Sequence, residues 1–244
     1  MSHITHRWLT SSSDLKKTMN KTLIAIALGL ALSAPSLHAA PGTGDKDATK
    51  QQKDSVALFR GVSVSADMVG LAQLAFSDYG QYEAALRVNL RDKFFPIVEV
   101  GLGKANAENA TTRITYKTSA PYFRVGMDLN MMKNKHDDYR IYLGARYAFT
   151  YFEYDAFSTG VKDPVWGDAG DYNISGVKCN YHWLEASVGV DAKIFGPIRL
   201  GWSVRYRKRL SNNDGDYGNT WYVPGFGKQG GTRLGGTFNV IVEI

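Results

Sequence analysis

The sequence predicts an all-β protein: an eight-stranded antiparallel up-and-down transmembrane β-barrel with a polar, closed lumen. Three observations carry that prediction. An export signal opens the chain, eight later segments alternate apolar and polar residues, and the connections between those segments alternate long and short. Side chains along a strand point to opposite faces in turn, so a two-residue period marks a strand with one apolar and one polar face.

The export signal lies in "MNKTLIAIALGLALSAPSLHAA". Lys16, Lys17 and Lys21 precede an apolar run from Leu23 to Ala34, and small residues lead to Ala39 and Ala40. A basic start, a short apolar middle and a small-residue exit make a secretory signal peptide. The run is shorter than the ~20 residues a spanning helix needs. Residues 1–39 are read as the signal, with Met19 as the true start and cleavage after Ala39. Residues 40–55 are polar and aperiodic, a disordered lead-in. Asp54-Ser55-Val56 resembles a short O-glycosylation sequon, although three residues match by accident easily. The barrel is assigned to residues 56–244.

The eight segments follow in order. Val62, Val64, Ala66 and Met68 oppose Gly61, Ser63, Ser65 and Asp67. Tyr82 to Leu90 set an apolar face against Glu83 and Arg87, and Val98 to Leu102 against Glu99. Phe123 to Met131 alternate with Arg124 and Asp128, and Ile141 to Tyr151 with Arg140 and Arg146. Leu184 to Ile194 alternate with Glu185 and Asp191. In "IRLGWSVRYR", Ile198, Leu200, Trp202, Val204 and Tyr206 oppose Arg199, Arg205 and Arg207. Leu234 to Val242 oppose Arg233 and Glu243. The long connections are 70–80, 104–119, 152–181 and 208–232; the short ones are 91–96, 132–138 and 195–197. Short periplasmic turns and longer outer loops are the habit of outer-membrane barrels.

That geometry turns the apolar face to lipid and the charges to the lumen. The expected lumen network is Glu83, Arg87, Glu99, Arg124, Asp128, Arg140, Arg146, Glu185, Asp191, Arg199, Arg205, Arg233 and Glu243. Glu99, Asp128, Arg140, Asp191, Arg199 and Glu243 fall near the periplasmic end, and the others at mid-depth or higher. Asp191 and Glu185 are the expected partners of Arg199 and Arg205, while Arg207 reaches the outer rim. A barrel of this size is only wide enough for its own side chains, so interlocked arginines and carboxylates close it.

Composition narrows the functions. The formal charge of +6 drops to about +3 once residues 1–39 are removed, which gives no case for nucleic acid. A single cysteine, Cys179, excludes an internal disulfide framework. No cofactor or metal is expected. "NNDGDYGN" and "GDAGD" read as turns, since the first has Tyr217 where a calcium loop needs glycine. His182 is the one weak catalytic candidate, with lipid-face parity near the outer end of its strand; His136 sits in a polar periplasmic turn. The reading is therefore a structural or surface-contact barrel. Its partners are outer-membrane lipid and, through 152–181 and 208–232, a surface polysaccharide or a protein. "YVPGFG" is expected on the surface as exposed aromatics. A lipid-modifying enzyme using His182 and a soluble lipocalin-like carrier are the alternatives.

Three stretches carry a family resemblance: "HWLEASVGVDAKIFGPIRLGWSVRYRKRL", "WYVPGFG" and "PYFRVGMDLNMM". They are similar to a domain-of-unknown-function family of small outer-membrane barrels from Gram-negative gut-type bacteria, over roughly residues 56–244. The resemblance implies barrel architecture and export. It implies no activity and no catalytic residues.

Overall fold

A two-residue period commits each segment to a strand, and strands with both edges hydrogen-bonded leave no open edge. The computed structural model describes residues 57–109, 113–162, 169–218 and 220–244, with 159–162 and 169–172 described as backbone alone. The signal peptide, the lead-in and Asp54-Ser55-Val56 lie outside the described residues, as do all the side chains of "GDAGD". The strands are β1 (Phe59–Asp67), β2 (Tyr79–Leu90), β3 (Phe94–Glu108), β4 (Thr115–Asn130), β5 (Tyr139–Lys162), β6 (Ala169–Phe195), β7 (Ile198–Asn213), β8 (Tyr222–Val223), β9 (Gly227–Lys228) and β10 (Thr232–Glu243). Eight of them close a barrel in the order β1-β10-β7-β6-β5-β4-β3-β2, while β8 and β9 form a separate hairpin. Every barrel pairing is antiparallel, including the closing pair in which Ser63 meets Glu243 and Asp67 meets Asn239.

The outside of the lower barrel is apolar. Leu86, Val98, Val100, Val125, Leu143, Val188, Val190, Trp202 and Val204 are all exposed. Exposed Tyr82, Phe123, Tyr147, Tyr151 and Tyr206 rim this belt above, and Phe94, Tyr139 and Phe195 below. A lipid-facing band between aromatic girdles has this form.

Above the belt the strands continue, where the sequence suggests loops over 104–119 and 152–181. The alternation persists there with its sense reversed. Ala105, Ala107, Tyr116, Thr118, Ala120, Phe152, Tyr154, Val177, Cys179 and Tyr181 are buried. Their neighbours Lys104, Asn106, Lys117, Ser119, Glu153, Asp155 and Lys178 are exposed. Along one strand the charged face points inward in the belt and outward above it. The reversal falls between Leu102 and Lys104 on β3, and between Tyr151 and Glu153 on β5. Water replaces lipid as the outer solvent at that height, so the apolar face must turn inward.

The first long connection holds a helix that the strand pattern misses. α1 spans Met68–Phe76, so Met68 opens a helix instead of ending a strand. Asp67 caps it, its carboxylate accepting from Val69 N at 3.0 Å and Gly70 N at 3.1 Å.

Candidate functional site

The barrel interior has two storeys. The lower is ionic. Arg124 on β4, fully buried, lies against three carboxylates from three other strands. It bonds Glu83, contacts Glu99 at 3.0 Å and sets its Nε 2.8 Å from Glu185. Arg205 joins Glu83 at 2.9 Å and Glu99 at 3.0 Å, and Arg146 donates to Glu99 at 2.9 Å. Arg146 also bonds Ser187 and reaches Asp128 at 3.0 Å. Tyr122 and Gln81 donate to Glu83 at 2.7 and 3.1 Å, and Trp183 donates to Glu185 at 2.7 Å. Planar guanidinium forks can serve several carboxylates at once, which is why arginine and not lysine fills this storey.

Lower still, Arg87 donates to Asp128 at 2.8 Å and lies 3.6 Å from Asp191, which accepts from Arg199 at 2.7 Å. Arg140 donates to Glu243 at 2.5 Å, and Arg199 stands 3.8 Å from the same carboxylate. At the mouth with the short turns, buried Asp92 takes Arg60 at 2.9 Å, Asn89 at 2.6 Å and His136 Nδ1 at 2.6 Å. Burial raises the pKa of Asp92. The bonds from Asn89 and His136 and the charges of Arg60 and Arg140 outweigh it, and its carboxyl sits below the usual value. His136 is therefore a partner of Asp92, more than a solvated turn residue.

Twelve of the thirteen expected network residues meet in these contacts. Arg233 does not: it donates to the carbonyls of Lys228 at 2.6 Å and Gln229 at 2.7 Å, tying down the β8–β9 hairpin. Glu99 belongs to the middle cluster and Arg87 to the lower one, the reverse of their expected depths. Register decides this: Glu99 pairs directly with Arg124, whereas Arg87 pairs with Ile97, two residues nearer the short turn that joins β2 to β3. Arg199 meets Asp191 as expected. Arg205 instead prefers Glu83 and Glu99 across the barrel, with Glu185 at 3.9 Å. Arg207 is buried, 3.2 Å from Glu185, and does not reach the rim.

The upper storey is an apolar core built partly from residues that the sequence pattern places outside. Tyr222, Val223, Pro224, Gly225 and Phe226 of "YVPGFG" are buried within the barrel, not displayed on its surface. They form a plug on top of the ionic storey. Tyr116, Tyr122, Phe152, Tyr154, Tyr181 and Trp183 pack around Tyr222, Val223 and Phe226. Polar bonds fix its backbone: Arg124 donates to Gly225 O at 2.9 Å, Arg207 to Phe226 O at 3.0 Å and Tyr116 to Tyr222 O at 2.8 Å. The plug fits because wall and plug both lack side chains at the contact. A Cβ on Gly103 would stand 2.7 Å from Pro224 Cα, and one on Gly225 2.5 Å from the Tyr122 ring. Cys179 belongs to this core. Within "NNDGDYGN", the Asp214 carboxylate accepts from Asn212 at 2.6 Å and from the nearby Thr220 at 3.1 Å, so side-chain donors of the chain itself take it up. One void in the ionic storey, of about 10 Å³, is lined by Asp67, Glu83, Glu99, Arg205 and Asn239 among others. That is room for about one water.

His182 has the outward parity expected of it. Its Nδ1 lies 2.7 Å from the Tyr147 hydroxyl, and its ring stacks on Phe149 and meets Tyr151 edge-on. These are the surroundings of an interfacial aromatic at a girdle.

An apolar belt between aromatic rims, around a filled ionic interior, is the architecture of a small outer-membrane β-barrel. The chain belongs to the domain-of-unknown-function family DUF6048, whose model matches residues 16–243. Among solved structures, it is similar to Neisserial surface protein A, at 14% identity and a TM-score of 0.39 over 76% of this chain and 99% of that one. It is similar also to a major outer membrane protein from Thermus thermophilus, at 12% identity and 0.42 over 75% and 98%. A third is Ail, the attachment invasion locus protein of Yersinia pestis, in complex with sucrose octasulfate, at 9% identity and 0.37 over 75% and 97%. No curated protein matches the sequence.

Proposed function

We propose that this protein is an outer-membrane barrel that does not conduct and that serves contact at the cell surface, with a polysaccharide or a protein as partner. One observation carries the reading: the interior is filled at two levels, by ion pairs and by the plug above them. A passage for solutes needs an open lumen, whereas a rigid mount for a surface does not. The continuation of β5 and β6 above the belt, with Glu153, Asp155 and Lys178 exposed, supports the second use. Since Trp221–Phe226 turns inward, the contact surface centres on the β5–β6 hairpin more than on 208–232.

Purified protein in planar lipid bilayers should give no stable conductance steps; large steady steps from folded protein would overturn the closed reading. Orientation has its own test. A thiol placed by Lys178→Cys should react with a membrane-impermeant maleimide on intact cells. Asn134→Cys, in the turn at the opposite end, should react after the envelope is permeabilised. Buried Cys179 serves as the unreactive background. Labelling of Asn134→Cys alone on intact cells would invert the assigned topology.

A further inference from the structure

We infer that the outer wall carries a binding site for a lipid headgroup that bears both a phosphate and an amine. This rests on the membrane-barrel reading and names a ligand class for a groove that the lumen does not involve. The groove, of about 700 Å³, opens between the end of α1 and the outward faces of β3, β4 and β5. Its floor carries Lys104 and Lys117, with Asp155 directly opposite Lys117 in register; Glu153 and Asp78 add two further carboxylates, and Leu74 and Ser77 form the α1 side.

Height is the first argument. Lys104 follows Leu102 on the outward face, and Lys117 lies two rows above Pro121, so the groove begins where the apolar belt ends. Lipid headgroups occupy that level. The second argument is the charge pattern. Among the described residues neither lysine makes an ion pair within 4 Å; Lys104 Nζ lies 5.6 Å from the Tyr82 ring centre and Lys117 Nζ 4.8 Å from that of Phe157. Two such ammonium groups suit phosphate oxygens. The carboxylates of Asp78, Glu153 and Asp155 suit a primary ammonium. A purely anionic headgroup would meet Glu153 and Asp155 with nothing to offer them. The third argument is α1 itself. Its nine residues, "MVGLAQLAF", carry no charge, and Leu71 and Phe76 are exposed, Phe76 by 73%. An uncharged helix with outward apolar side chains, continuous with the belt through β1 and β2, offers acyl chains a surface beside the headgroup groove.

The test uses the mature protein in nanodiscs of equal parts phosphatidylethanolamine and phosphatidylglycerol, with retained lipid counted by native mass spectrometry. Phosphatidylethanolamine should be retained in preference. The double variant Lys104→Gln with Lys117→Gln should retain about tenfold less, as two lost charge contacts imply. Glu153→Gln with Asp155→Asn should shift retention toward phosphatidylglycerol. Lys208→Gln, an exposed lysine on β7 away from the groove, should change nothing. All these side chains are exposed, so their replacement spares the fold. Equal retention of the two lipids, preference for phosphatidylglycerol by the unaltered protein, or an equal loss in Lys208→Gln would overturn the site while leaving the barrel reading intact. Failure of the protein to enter nanodiscs would overturn both.

Discussion

Replacing Arg124 with methionine should cost about 3–5 kcal/mol of folding stability, the usual penalty for breaking a buried ionic cluster from one side. The substitution roughly keeps volume but leaves Glu83, Glu99 and Glu185 facing one another in a water-poor interior. Arg205, Arg146 and Arg207 still reach these acids, yet each is already engaged. Urea titration of the protein folded into vesicles reads the loss. The origin of the effect is separable by a cycle. Adding Glu83→Gln to R124M removes one stranded charge, so it should restore part of the stability that it would cost in the unaltered protein. Neighbours in one network couple in this way. Additive losses would mean that the cluster is a set of independent pairs.

Gly225→Val should drive the plug out of the barrel. At φ +80° a branched residue is strained by about 1–3 kcal/mol before any contact is counted. Its added carbon would also stand 2.5 Å from the Tyr122 ring, which is fully buried and bonded through its hydroxyl to Glu83. The bonds from Arg124 and Arg207 to the plug carbonyls go with it. Limited trypsin digestion should then cut at Lys228 in the variant and spare it in the unaltered protein, while both keep their barrel. Gly218→Ala is the control: its φ is +66°, but its added carbon meets nothing within 4 Å. The variant should still not conduct, because the ionic storey beneath remains closed. Steps that appear on expelling the plug alone would assign closure to the plug and not to the arginines.

The eight membrane strands can be read from the sequence because their period is local and their sense constant. Arg124 beside Val125 and Arg205 beside Val204 announce their faces without help. The upper strands carry the same period, but Tyr116, Thr118 and Ala120 against Lys117 and Ser119 look like a soluble sheet. They lose the signal of a membrane strand just where the solvent changes. A reader who allows the sense to reverse finds them. α1 has a weaker cue, a run of nine uncharged residues after a capping Asp67. The plug has less: "WYVPGF" is unbroken by charge inside a polar connection. What fixes it are the empty places at Gly103 and Gly225, and a carbonyl contact from Arg124, 101 residues away in the chain. Register and side-chain reach together explain the misplaced ion pairs. Facing parity puts Glu99 in the lumen and register sets it opposite Arg124, while its bonds to Arg146 and Arg205 depend on long guanidinium arms from other strands.

The reversal of sense along β3, β4, β5 and β6 also guards assembly against error. Suppose a strand paired one residue out of step. Every side chain would change face. In an ordinary membrane strand that mistake turns charges into lipid, at about 2–4 kcal/mol for an arginine at mid-bilayer. Here β4 would suffer a second penalty at its other end. Arg124 would enter lipid while Lys117 entered the aromatic core and Tyr116 met water. The two faults arise together and neither relieves the other. A slipped β4 or β5 is thus rejected twice, once by each solvent.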